Sequence, residues 1–120
     1  MSPAAGAAAS AQDQGLGGRS VPQDVSSEIL SVAVFEPLPG QEEPALRTVK
    51  ELSSVLAAGG YSRDLLYRAT GGEYVLVRFW KSDESRRAAL EDPNAQRCWA
   101  KLAHEIQILK VHESLEEIQL

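Results

Sequence analysis

From Ile29 to Phe35 the run Ile-Leu-Ser-Val-Ala-Val-Phe is apolar at nearly every position and rich in β-branched residues. That pattern predicts a short strand covered on both faces. The turn Pro37-Leu-Pro-Gly40 ends it. Beyond Pro44, the residues Leu46, Val49, Leu52, Val55 and Leu56 recur at three- and four-residue steps, so they form one stripe of a helix. Pro44 suits the first turn of that helix, and Glu42 and Glu43 lie where its dipole favours acids. Gly59-Gly60 ends it, as a glycine in the left-handed region commonly does. A second strand is predicted from Arg63 to Thr70, with Leu65, Tyr67 and Ala69 on one face. Gly71-Gly72 is a dipeptide that makes tight hairpins, and the strand Glu73 to Trp80 follows at once as an antiparallel neighbour. Its side chains alternate: Val75, Val77 and Phe79 point one way, and Tyr74, Leu76, Arg78 and Trp80 the other.

Ser82 is a good N-cap for a helix that starts with Asp83 and Glu84 and runs to Leu90. Asp92-Pro93 repeats the start pattern, opening a shorter helix with Ala95, Trp99 and Leu102 on one side. Glu105 to Glu113 alternates as a fourth strand, Ile106 and Ile108 leading one face and Leu109 and Val111 the other. The order is β-α-β-β-α-β with the second helix broken in two. It predicts an α+β, ferredoxin-like domain: a four-stranded antiparallel sheet with its helices on one face. Three strands nevertheless carry apolar side chains on both faces. Burying about five of these on a second copy gives roughly 7–15 kcal/mol, against an association cost of about 4–15 kcal/mol. We therefore expect a homodimer closed sheet to sheet, with Leu115 to Leu120 reaching towards the partner.

Residues Met1 to Ser26 are rich in Ala, Gly, Ser, Gln and Pro and are expected to form a disordered tail, leaving residues 27–120 as the single domain. The tail lacks the basic start and continuous apolar run of a secretory leader. A net charge of −5 gives no basis for binding nucleic acid. Cys98 is the only cysteine, which excludes an intrachain disulfide and a thiolate-rich metal site, and fits a reducing, cytoplasmic setting. No run is apolar over the roughly 18–20 residues that a membrane-spanning helix needs. Arg86-Arg87 is expected to be a solvated helix face.

The strand ending in Phe79-Trp80, followed by Lys81-Ser-Asp-Glu-Ser85 and a helix broken near Asp92-Pro93, resembles the antibiotic biosynthesis monooxygenase family of dimeric α/β-barrel proteins. The resemblance covers about Ile29 to Ile118. It implies a homodimeric α/β barrel and, in the family's enzymes, oxygen-dependent turnover of phenols and quinols without a cofactor. It also implies that Trp80 lines a cavity between sheet and helices. Haem-degrading members use an asparagine in the first strand and a histidine on the second helix; here the first position falls near Ala33, and Asp83 to Leu90 holds no histidine. Some cofactor-free oxygenases place an asparagine where this chain has Leu76.

Among the candidate residues, Trp80 offers a flat stacking surface and one N–H donor. Arg78, on the same face, could hold a phenolate or carboxylate unless it pairs with an acid. Tyr67 and Tyr74 could supply hydroxyls to a substrate. His104 and His112 are placed on the face of Ile106 and Ile108, some 26 Å apart at about 3.3 Å per residue, so they share no metal; His104, beside the strand start, is the candidate base. Cys98 lacks the partners of a nucleophile and reads as a small buried filler. No metal and no cofactor is expected. Two functions follow: a cofactor-independent monooxygenase acting on a small aromatic or quinol-type substrate through Trp80 and His104, with Arg78, Tyr67 and Tyr74 binding it, or a non-catalytic ligand-binding or dimerisation module.

Overall fold

The computed structural model describes residues 28–120. The tail expected over residues 1–26 lies outside the described residues. The chain runs β1 (Ile29–Pro37), α1 (Glu42–Ala58), β2 (Ser62–Arg68), β3 (Tyr74–Trp80), α2 (Asp83–Leu90), α3 (Pro93–Leu102) and β4 (Ile106–Leu115). The strands form one sheet in the order β2-β3-β1-β4, with every neighbouring pair antiparallel. This is the ferredoxin-like arrangement, and in one copy the sheet stays open.

Local chemistry fixes most of the element ends. The α1 helix ends before Gly60, whose φ of 73° is the left-handed conformation that glycine adopts at least cost. A side chain at Gly59 would also collide with the Tyr61 ring, at 2.4 Å from the nearest ring carbon. The Ser82 hydroxyl accepts a hydrogen bond from Ser85 N–H at 3.0 Å and starts α2. Asp92 does the same for α3, accepting from Asn94 N–H at 2.8 Å, with Pro93 at the first helical position.

The β2–β3 hairpin is one residue longer than a two-residue turn on Gly71-Gly72. Ala69 N–H bonds Glu73 O, and Gly72 N–H bonds Ala69 O. Gly72 takes φ of 102°. The third loop residue sets the register that pairs Asp64 with Arg78 and Leu66 with Leu76.

The β4 strand departs further from simple alternation. Its pairing with β1 slips between Leu30 and Val32 and again between Val34 and Phe35. The second slip inserts Leu109 as an extra residue, a bulge that turns the following side chains to the opposite faces. Val111 therefore joins Ile108 on the helix side, opposite Ala33, while His112 sits opposite Val32 on the outer face. The even alternation expected from Glu105 to Glu113 fails at that residue.

The core lies between the sheet and α1, α2 and α3. It is built on Ile29, Phe35, Tyr74 and Trp80 from the sheet and Leu52, Leu56, Ala95 and Leu102 from the helices. Arg86, expected in solvent, is buried, and its guanidinium donates to Asp83 Oδ1 at 2.7 Å. The other sheet face presents Leu30, Val32, Val34, Val75, Val77 and Phe79, all only half-buried, because the helices occupy the opposite side. No helix among the described residues is long and apolar enough to cross a membrane.

Candidate functional site

Between the helix-side face of the sheet and α1, α2 and α3 lies a cavity of about 920 Å³. Its size is at the upper end of the range usual for small-molecule sites. The walls are mainly apolar: Phe35, Leu52, Leu76, Trp80 and Trp99 contribute large surfaces. Ile108 and Val111 also line it and remain 42% and 44% exposed, so the cavity opens on the β4 side.

Trp80 ends β3, is only 3% exposed, and lies opposite Ile29 on one side and Ser62 on the other. Its place follows from strand alternation, which puts it on the face shared by Leu76 and Arg78, and from the start of α2 just beyond it. Trp99 reaches the same space from α3, where its helical spacing from Ala95 and Leu102 turns it towards the sheet. Two indoles thus face one apolar space, a surface suited to a flat ring system.

Arg78 enters the cavity wall two residues before Trp80, with its guanidinium 5.4 Å from the Trp80 ring centroid. It is paired: Nε–H donates to Asp64 Oδ1 at 2.8 Å and Nη2–H to Asp64 Oδ2 at 2.9 Å. The Ser53 hydroxyl of α1 donates to the same carboxylate at 2.6 Å. Only 10% of the Arg78 side chain and 4% of the Asp64 side chain remain exposed. A buried two-bond pair of this kind is held strongly, and losing either partner leaves an uncompensated charge.

Of the residues singled out in the sequence, the structure brings Trp80 and Arg78 together and separates the others. Tyr74 shares their face but stacks on Phe35, with ring centroids 5.6 Å apart. Its hydroxyl donates to Glu42 Oε2 at 2.5 Å and accepts from Arg68 Nη2 at 2.6 Å, tying the far end of β3 to the start of α1. Tyr67 lies on the outer face opposite Val75 and is 55% exposed. His104 sits exposed in the turn between α3 and β4, ahead of the strand rather than in it. Cys98 is buried, and burial pushes its thiol above the usual range, which suits a packing role.

Four residues outside the sequence-based candidates complete the site: Asp64 as the partner of Arg78, Trp99 as a second indole in the wall, and Ser31 and Glu113 as polar wall residues. The Trp99 spacing was visible; the others depended on strand register. Among the described residues, no group of His, Cys, Asp and Glu could hold a metal ion.

No family model matches the sequence, and no curated protein matches it significantly. Solved structures do. SnoaB, a cofactor-independent oxygenase from Streptomyces nogalater, superposes with a TM-score of 0.64 at 17% identity, over 77% of this chain and 97% of its own. Rv0793 from Mycobacterium tuberculosis gives 0.62 at 19% identity, over 78% and 100%. A protein from Chloroflexus aurantiacus, provisionally named an antibiotic biosynthesis monooxygenase, gives 0.64 at 18% identity, over 78% and 97%. The fold is that of the antibiotic biosynthesis monooxygenases. At these identities the likeness establishes the architecture of the chain, and its chemistry has to be argued from its own side chains.

Proposed function

We propose that the protein is a cofactor-independent monooxygenase that binds a small, flat phenol or quinol-type molecule against Trp80, and that it works as a homodimer in the cytoplasm. The observation that carries this reading is the pair of indoles, Trp80 and Trp99, lining one large apolar cavity that also opens to solvent. An aromatic substrate fits such walls by stacking. The reaction needs no external reductant. A phenol and O2 give a quinone and water: one oxygen atom becomes the new carbonyl, the other leaves as water, and the phenol supplies all four electrons. Orientation and exclusion of bulk water are then the protein's main contributions.

Oxygen-electrode measurements with naphthols test this directly. We expect one O2 consumed per quinone formed, and a loss of at least tenfold in turnover for Trp80→Phe with the fold retained. Turnover unchanged in both Trp80→Phe and a folded Trp80→Ala removes Trp80 from the site.

A second reading is favoured by one feature. Leu76, facing the cavity, offers no amide to orient a phenolate, and Arg78 is already committed to Asp64. On that reading the protein is a non-catalytic binding module, and naphthols quench its tryptophan fluorescence without any uptake of oxygen. His104 and Tyr67 remain proposed participants only through groups that a second copy would bring to them, since neither lines the cavity of its own chain. Buried Tyr74, its hydroxyl bonded to Glu42 and Arg68, would act only by holding β3 against α1.

A further inference from the structure

The polar residues that reach the cavity floor lie almost in one row across the sheet. Ser31 of β1 is opposite Arg78 of β3, and Arg78 is opposite Asp64 of β2. Glu113 falls within the bulge that β4 makes where it passes Ser31. Ser31, Arg78 and Glu113 all line the cavity, and Asp64 stands behind Arg78. The charges of this row decide what can enter. Arg78 is the one cation among the described residues of the wall, and both arms of its fork nearest Asp64 are occupied by that carboxylate. The other charged wall residue, Glu113, is an acid.

From this geometry we propose that the cavity selects neutral, hydroxyl-bearing aromatic molecules and rejects aromatic carboxylates of the same shape. The inference rests on the aromatic-binding reading above and adds the charge of the ligand. An incoming carboxylate would meet a guanidinium whose charge Asp64 already balances, with a second acid, Glu113, in the same wall, or would enter beside apolar walls with no other wall cation to meet it; either is costly. A neutral hydroxyl loses far less on leaving water. It can donate to a wall oxygen, such as that of Ser31, and leave the Asp64–Arg78–Ser53 network intact. Asp64 and Ser53 are thus positioning and specificity residues that act through Arg78.

Isothermal titration of the full chain with 2-naphthol and 2-naphthoate at pH 7 tests the proposal. These probes share one ring system, and only the second is charged. We expect 2-naphthol to bind at least tenfold more tightly. Asp64→Asn, which releases the guanidinium, should narrow that gap by strengthening 2-naphthoate binding. A gap below tenfold, a preference for 2-naphthoate, or an unchanged gap in folded Asp64→Asn overturns the charge selection while leaving the aromatic cavity in place. If neither probe binds, the aromatic-binding reading itself fails, and this inference with it. The comparison in the unsubstituted protein stands whether or not the variant folds.

Discussion

The Arg78 side chain shows how one register decision changes a residue's meaning. From the sequence, an arginine on the helix-side face next to a tryptophan can hold a ligand, but more often pairs with an acid or reaches solvent. A two-residue turn on Gly71-Gly72 would have placed Leu65 opposite it; the three-residue loop places Asp64 there instead. With the Ser53 hydroxyl added, the carboxylate is held from two sides. Removing it should leave a buried guanidinium unpaired, so we expect Asp64→Ala to lose about 3–5 kcal/mol of stability. Replacing the pair by Asp64→Leu with Arg78→Met should recover much of that loss, because no charge then remains buried. Urea denaturation of the two variants separates a pair that matters through burial from one lying in solvent, for which the single change would cost under about 1 kcal/mol.

At the scale of elements, starts and stops were legible because short-range chemistry specifies them: Ser82 and Asp92 as caps, Pro93 at a first helical position, Gly60 with positive φ. The fourth strand was less so. Nothing in Ile106 to Leu115 marks Leu109 as the inserted residue, since a bulge is chosen by the partner strand and the packing around it. For the same reason Val111 and Glu113 could not be assigned to the cavity from alternation alone. The start of α2 carries a pH dependence. The hydrogen bond from Arg86, supported by the charges of Arg86 and Arg87, holds the Asp83 carboxyl below its usual range. A depressed folded-state value means that Asp83 stabilises the fold fully above the ordinary carboxylate pKa of about 3.9. That contribution disappears as pH falls through the folded-state value. Asp83→Asn should therefore melt below the parent protein at pH 7, and the difference in Tm should shrink steadily between pH 4 and pH 2. A difference that stays constant with pH would mean the carboxylate charge is not what Arg86 responds to.

For the whole molecule, element order and the one-sided placement of the helices could be read from periodicity, and the apolar outer face followed from strands that lacked a polar side. Val32, Val34, Val75 and Val77 form the middle of that face, flanked by exposed Leu65 and Tyr67, and no described element of the chain covers it. A contiguous apolar patch rimmed by polar residues is characteristic of an interface. Covering it with a second copy would remove the open face and give Tyr67 and the β4 edge new neighbours. Val77→Asp places one charge at the centre of that patch while leaving the Trp80 side of β3 untouched, since alternate residues face opposite ways. We expect native mass spectrometry to show two chains for the unsubstituted protein and one for Val77→Asp, with Trp80 emission still that of a buried indole. A single chain in both would assign the apolar face to some other partner or to water, and the proposed homodimer would fall. Two chains in both would keep the dimer and move its contact away from this face, because an aspartate buried at the centre of a sheet-to-sheet interface has no cation among the neighbouring valines to offset it.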